Sequence, residues 1–254
     1  MSQIPVSAVV ICSNAAETIT QCCDSLARFD EVLIYLNNSA DDTEALCRQF
    51  DNVTIVEGEF VGFGATKNAA VAAARHDWVF SLDSDEFADE QLVAAIAGID
   101  RSDRDVAYTV LRQNRFCGRH VDKGGWGNDI LLRVFHRQSA AFNDKPVHEK
   151  VMPSAGVSVA RLDGVLWHDA VVRLDQFLQK ISYYSELNAR HVKPKMLQHP
   201  FFALIRAQFR FFRSYVLQLG FLAGWRGLVI AWAGATGTFF KYSKRYTKSR
   251  QLER

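Results

Sequence analysis

The chain has 254 residues, 48% of them hydrophobic and 23% charged, with a formal net charge of +2. That is enough chain to bury one large α/β core, alone or with a small appendage, and the composition reads as globular rather than disordered. So small a net charge gives no overall attraction to nucleic acid, although the last fourteen residues, KYSKRYTKSRQLER, carry six Lys or Arg against one Glu.

Short apolar runs alternate with helical spacing from the start. Val6 to Ile11 reads as a buried strand, and Ala16 to Arg28, with Ile19, Cys22, Cys23 and Leu26 three and four apart, as an amphipathic helix. The first apolar run, Ile4 to Cys12, lacks a basic flank before it and a small-residue cleavage pattern after it, so no secretory signal is expected. Glu31 to Leu36 is a second strand, and the polar loop Asn37 to Asp42 precedes a helix over Thr43 to Gln49. Asn52 to Val56 is a third strand, Thr66 to Arg75 a helix, and Asp77 to Leu82 a fourth strand. Apolar strands alternating with helices predict a mostly parallel sheet covered on both faces, with ligands beyond the carboxyl ends of its strands.

From about residue 105 the pattern changes. Val106 to Arg112, Ile130 to His136 and Val165 to His168 read as strands joined by Gly-rich and polar loops, a mixed and partly antiparallel continuation, before a helix over Asp175 to Arg190. Phe201 to Tyr242 is aromatic and apolar but interrupted by Arg206, Arg210, Arg213 and Arg226, which leaves no run of about 18 to 20 apolar residues to span a bilayer. A helix pair lying on an anionic membrane leaflet is expected there; a hairpin packed on the domain or on a second subunit is the alternative. The five cysteines are odd in number and lack C-x-x-C spacing, which points to a reducing, cytosolic compartment.

The fourth strand ends in LDSDE, residues 82–86. In extended backbone Asp83 and Asp85 face the same side, and two hard carboxylates on one point suit Mg2+ or Mn2+ with phosphate oxygens. An aspartyl-phosphate phosphohydrolase does not fit, because its D-x-D ends the first strand with Thr or Val two positions later, where Phe87 stands here. GFGATKN, Gly62 to Asn68, follows the third strand and has Lys67 in place of the last glycine of G-x-G-x-x-G, so a dinucleotide loop does not fit either. A glycine loop opening a helix with Lys67 in its first turn still suits a phosphate or a sugar.

Taken in order, VVICSN....I..C..SL, EVLIYLNNSADDT and GFGATKNAAVAAARHDWVFSLDSDE resemble the family 2 glycosyltransferases of the GT-A fold. Within that family GGWGNDILLRVFHR, VHEKV, LWHDA and FRFFRSYVLQLGFLAGWRGL resemble the bacterial lipopolysaccharide core β-1,4-glucosyltransferases. The likeness covers nearly the whole chain. It implies an α/β fold, a GT-A-like Rossmann-type mixed sheet flanked by helices with a C-terminal amphipathic helical extension. A catalytic domain over residues 1–190 and a membrane-associating extension over 191–254 are expected.

The resemblance also implies roles. Asp83, Asp85 and His168 would hold Mg2+ or Mn2+, and Cys12, Ser13, Asn14, Asn37, Asn38, Asp41, Lys67, Asp83 and Ser84 would meet the nucleotide-sugar donor. Glu149 or Asp129 would be the catalytic base, Glu149 being favoured because in such folds the base lies between D-x-D and the late His. Trp126, Arg133 and His148 would meet the acceptor, joined by Asp129 if Glu149 is the base. Two positions depart from the family pattern, Ala15 and Leu36, where acidic residues usually face the nucleoside. The expected activity is inverting transfer of a hexose, glucose from UDP-glucose, to a lipid-linked glycan such as the lipopolysaccharide inner core. It is placed on the inner face of the cytoplasmic membrane. A non-catalytic scaffold of the same fold and a soluble transferase dimerising through its basic helices are the rivals.

Overall fold

The computed structural model describes residues 3–143, 149–175 and 199–252, with positions 177, 179, 181, 185 and 186 between the last two stretches. The chain divides into two compact units, Met1–Gln113 with Asn128–Asp169, and Asn114–Gly127 with Ala170–Arg254. This grouping puts the 114–127 loop and the residues from 170 onward with the C-terminal helices, whereas the sequence reading places its boundary at residue 190. The cause is contact between segments far apart in sequence. The Cys117 N–H donates to Val171 O at 2.7 Å, Arg226 Nε–H donates to Phe116 O at 3.0 Å, and Phe116, Val121, Val171 and Ile230 share a small core.

The first unit opens with β1 (Ile4–Cys12), α1 (Ile19–Ser25), β2 (Phe29–Leu36), α2 (Thr43–Cys47), β3 (Val53–Glu57), α3 (Phe63–Ala73) and β4 (Trp78–Asp83). These are the alternating elements expected, with shifted ends. Helix α1 is shorter than predicted because Ala15 to Thr18 forms a turn, its carbonyl at Ala15 accepting from the Thr18 N–H at 2.9 Å. The strands run parallel in the order β3-β2-β1-β4. Ala8, Val10 and Ile34 pack on one face against Ile19 and Cys22 of α1, while Val9, Leu33 and Val79 pack on the other against Ala70 and Val71 of α3. Both faces are therefore buried, which is why the strands read as near-continuous apolar runs. Register sets Cys12 beside Leu36 and Ile11 beside Asp83, so the carboxyl ends of the strands line up on one edge.

Next come β5 (Glu86–Ala88), α4 (Glu90–Ala97), β6 (Val106–Phe116), β7 (Arg119–His120), β8 (Asp129–His136), β9 (Ala140–Phe142), β10 (Val151–Pro153) and β11 (Ser158–Val171). Strand β8 joins β4 antiparallel, β6 joins β8 antiparallel, and the sheet continues through β11 to β5. The mixed continuation is as expected; β5 and α4, directly after the D-x-D, were not. Asp89 fixes both: its carboxylate accepts from the Leu92 N–H at 2.7 Å, capping α4, and from the Val165 N–H of β11 at 3.0 Å.

That junction leaves no room at Gly164, whose φ is +97° and whose Cβ, were there one, would lie 2.2 Å from Leu92 N. Gly164→Ala is expected to cost at least about 2 kcal/mol, read as a lower urea midpoint. An unchanged midpoint would mean that α4 and β11 slide apart freely.

The second unit contains α5 (Pro200–Phe212), a π-turn over Arg213–Leu217, a 3-10 turn over Gly220–Ala223 and α6 (Gly224–Leu252). Pro200 opens α5 after His199, whose ring nitrogen accepts from the Phe201 N–H at 3.2 Å. Among the described residues no single helix is long and apolar enough to cross a membrane. The helix expected over 175–190 lies mostly outside the described residues.

Candidate active site

Asp83 ends β4, and Ser84 and Asp85 form a turn before β5 begins. The expectation that both aspartates face one way in extended backbone is therefore corrected: the turn breaks the alternation, and the two carboxylates take different partners. Asp83 sits between two buried cations, Lys67 Nζ at 2.7 Å and Arg133 Nη2 at 3.1 Å. Burial alone would raise its carboxyl, but Lys67 and Arg133 outweigh that and hold it far below the usual carboxylate range.

The two cations extend the contact in both directions. Lys67 also grips Glu149 Oε1 at 2.8 Å, and Arg133 grips Glu86 Oε1 at 2.9 Å. Glu86 in turn receives Arg112 Nη1 at 3.0 Å, and Arg112 Nη2 reaches Asp129 at 2.8 Å. Three cations thus alternate with four carboxylates in one continuous chain, from Asp129 through Arg112, Glu86, Arg133, Asp83 and Lys67 to Glu149. Both candidate bases sit on this chain, one at each end.

Lys67 departs from its expected place. Helix α3 begins at Phe63, so Lys67 lies one turn inside it, 2% exposed, its ammonium also 5.4 Å from the centre of the Phe142 ring. It joins two carboxylates, Asp83 and Glu149. The Arg133 side chain is 7% exposed and held by Asp83 and Glu86.

Asp85 turns to His168, its Oδ2 lying 3.5 Å from Nε2. Strand pairing accounts for this, since His168 of β11 is opposite Glu86 of β5 and the Asp169 N–H donates to Asp85 O at 2.8 Å. Burial lowers the His168 pKa, but the hydrogen bond and charge of Asp85 raise it further, and the net shift is upward. Among the described residues no three His, Cys, Asp or Glu side chains form a metal-binding cluster. The expected set of Asp83, Asp85 and His168 is thus corrected to a pair, because Asp83 is taken up by Lys67 and Arg133. A carboxylate with an imidazole fits a divalent cation that draws its other ligands from phosphate and water.

The residues expected around the donor divide by role. Asn14 and Asp41 tie two loops together: Asn14 Oδ1 accepts from the Ala40 N–H at 2.9 Å, its own N–H donates to Ser39 Oγ at 2.9 Å, and Asp41 accepts from the Ala16 N–H at 3.1 Å. The Asn37 amide is buried and donates to Gly58 O at 2.9 Å. Cys12 is buried, its thiol pushed up to about 12, mainly by burial and then by Cys47, against a hydrogen bond with Ser84 that lowers it. Ser13 and Asn38 are exposed, Asn38 with a left-handed φ of 45°. Ala15 and Leu36, the two departures, are buried in the core cluster with α1.

Trp126 belongs to the second unit, where its ring packs on Phe116 at 5.5 Å and Phe177 at 6.2 Å. His148 lies outside the described residues. Glu86 and Arg112 were missed. The signal for Glu86 was the acidic residue directly after D-x-D; Arg112 offered none, since an arginine in a long strand reads as an exposed one.

The family model described as glycosyl transferase family 2 matches residues 7–165, from β1 into β11 and through every residue of this charge chain. The protein belongs to glycosyl transferase family 2. The glycosyltransferase is 26% identical over 253 residues to LpsC of Rhizobium meliloti, a lipopolysaccharide core biosynthesis glycosyltransferase, spanning 97% of this chain and 93% of the relative. An uncharacterized glycosyltransferase of Rickettsia typhi is 23% identical, spanning 94% of this chain and 86% of its own. Among solved structures, S. aureus TarS 1–349 in complex with UDP-GlcNAc aligns with 99% of the glycosyltransferase and 92% of its own chain, at 14% identity and a TM-score of 0.48.

Proposed function

We propose that this glycosyltransferase moves glucose from UDP-glucose to a lipid-linked glycan, the lipopolysaccharide inner core, with inversion at the anomeric carbon. Family membership and the full-length likeness to a relative named for lipopolysaccharide core biosynthesis support the reaction class and the acceptor. One observation carries the choice of site. Glu149 and Asp83 grip the same ammonium, Lys67, at 2.8 and 2.7 Å, so a carboxylate able to act as base stands beside the D-x-D.

Glu149 takes the proton of the attacking acceptor hydroxyl, whose own pKa lies far above neutral. Lys67 and Arg133 fix Asp83 and Glu149 so that neither carboxylate reorganises as the donor arrives. Asp129, 47% exposed on its side chain and held by Arg112, faces solvent at the far end of the chain and suits an acceptor hydroxyl. Asp85 and His168 would hold Mg2+ or Mn2+, the imidazole favouring Mn2+. When bound, such an ion supplies Lewis-acid neutralisation of the departing diphosphate. A single displacement of this kind turns an α-linked donor into a β-linked product. Residues 1–190 carry this chemistry, and the basic helices beyond them bring it to the inner face of the cytoplasmic membrane, where a lipid-linked acceptor is found.

Titration calorimetry of UDP and UDP-glucose tests the reading. Binding is expected with Mn2+, weakened by more than about tenfold by chelator or by Asp85→Ala. If wild-type protein binds no UDP in either condition, UDP is not the donor nucleotide. Failure of other nucleotides as well would favour a non-catalytic scaffold.

A further inference from the structure

Among the described residues the second unit carries an apolar surface that its packing leaves exposed. On α5 the residues spaced along one stripe, Phe201, Ile205, Phe209, Phe212 and, in the following turn, Val216, are 40% to 61% exposed, while Ala203 and Ala207 on the opposite side are buried. Beyond the break, Leu222, Trp225 and Trp232 are 62%, 50% and 65% exposed. So large an exposed apolar surface calls for an occupant.

Charge identifies that occupant. From Leu187 to Leu252 the sequence contains no Asp or Glu, and its cations flank the stripe without entering it. Arg206 lies over the Tyr242 ring at 4.6 Å, and Arg210 lies against Gly234 of α6. Arg213 is exposed at the end of α5, where a long stem can carry its head to a polar boundary. In the second half of α6 Lys241 and Arg245 lie beside the Tyr242 ring at 5.8 and 5.4 Å, while Lys244 and Lys248 pair with Glu186 at 3.9 and 2.6 Å. An anionic surface over hydrocarbon matches both features at once; a second copy of the same face would bring only more positive charge.

Neither helix suits a span by itself: α5 is 13 residues, roughly 20 Å, against a hydrocarbon core of about 30 Å, and α6, though 29 residues long, is basic rather than apolar in its second half. The pair is bent by 71° between Leu217 and Gly220. Backbone groups at the bend are paired, as an apolar medium requires: the Gln218 N–H donates to Arg213 O at 2.9 Å, the Leu219 N–H to Val216 O at 3.1 Å, and Gln218 O accepts from the Gly124 N–H at 2.9 Å.

We infer that this bent helix pair inserts stripe-first into one leaflet of an anionic bilayer, anchored by its apolar side chains and not by charge alone. The inference rests on the membrane position proposed above and deepens it from surface contact to insertion. Basic contacts bring the protein to the leaflet and are screened by salt; the buried aromatics then hold it.

The test uses the full chain, phosphatidylcholine vesicles with and without phosphatidylglycerol, and lipids brominated in the acyl chain. Expected are flotation that survives a molar salt wash, quenching of tryptophan fluorescence by bromine, and loss of more than half of that quenching in Trp225→Phe/Trp232→Phe. Flotation abolished by the wash, with no bromine quenching, overturns insertion and leaves the surface position standing. A protein that never floats and has a dimer's mass by light scattering overturns both, and gives the apolar face to a second copy.

Discussion

Glu149→Gln is expected to lower kcat by roughly 100- to 10,000-fold while leaving UDP-glucose affinity close to wild type. The substitution keeps an amide oxygen where Glu149 Oε1 accepts from Lys67 at 2.8 Å, so the ammonium that also holds Asp83 keeps its partner. What is lost is the carboxylate that receives the acceptor's proton. Steady-state kinetics of glucose transfer, with donor affinity measured separately, read the effect. Asp129→Asn is the control: its carboxylate meets Arg112 at 2.8 Å at the other end of the chain. If Asp129→Asn loses the larger factor in kcat and Glu149→Gln does not, the base is Asp129 and the proposed assignment is reversed.

Glu86→Ala is expected to destabilise the first unit by about 3–5 kcal/mol, read from urea unfolding. Glu86 is 0% exposed and accepts from Arg112, from Arg133 and from the backbone N–H of Asp83 at 2.9 Å. Alanine leaves two guanidinium groups facing each other without the anion between them, and an unpaired backbone donor at the D-x-D. Glu86→Gln retains acceptors but not the charge, and is expected to fall between alanine and wild type. If alanine and wild type unfold at the same urea concentration, Arg112 and Arg133 find solvent or another anion, and the chain of charges is no structural unit. Folded Glu86→Gln protein is also expected to lose donor affinity, because the Asp83 N–H and Arg133 are both set by Glu86.

The elements of the parallel half were legible because both of its faces are covered, which makes each strand a short apolar run between turns. Strand β11 shows where that signal fails. Only Val165 to His168 stood out, yet the strand runs from Ser158 to Val171, since its polar early residues are ordered by neighbours and not by burial. Strand β5 was invisible for a related reason: three residues are too few for a period, and its pairing with Leu166 to His168 comes from segments far along the chain.

The sequence by itself determined the family, the carboxyl-end position of Asp83 and the pool of charged residues around it, because motif order and strand-end chemistry are local properties. It could not determine who pairs with whom. That Asp83 belongs to Lys67 and Arg133, that Asp85 belongs to His168, and that Ala15 and Leu36 turn into the core were decided by the tertiary fold. A buried charge must find its counter-charge within about 3 Å whatever the separation in sequence. Only the packing of α3, β8 and β11 around the end of β4 fixes which one lies that close.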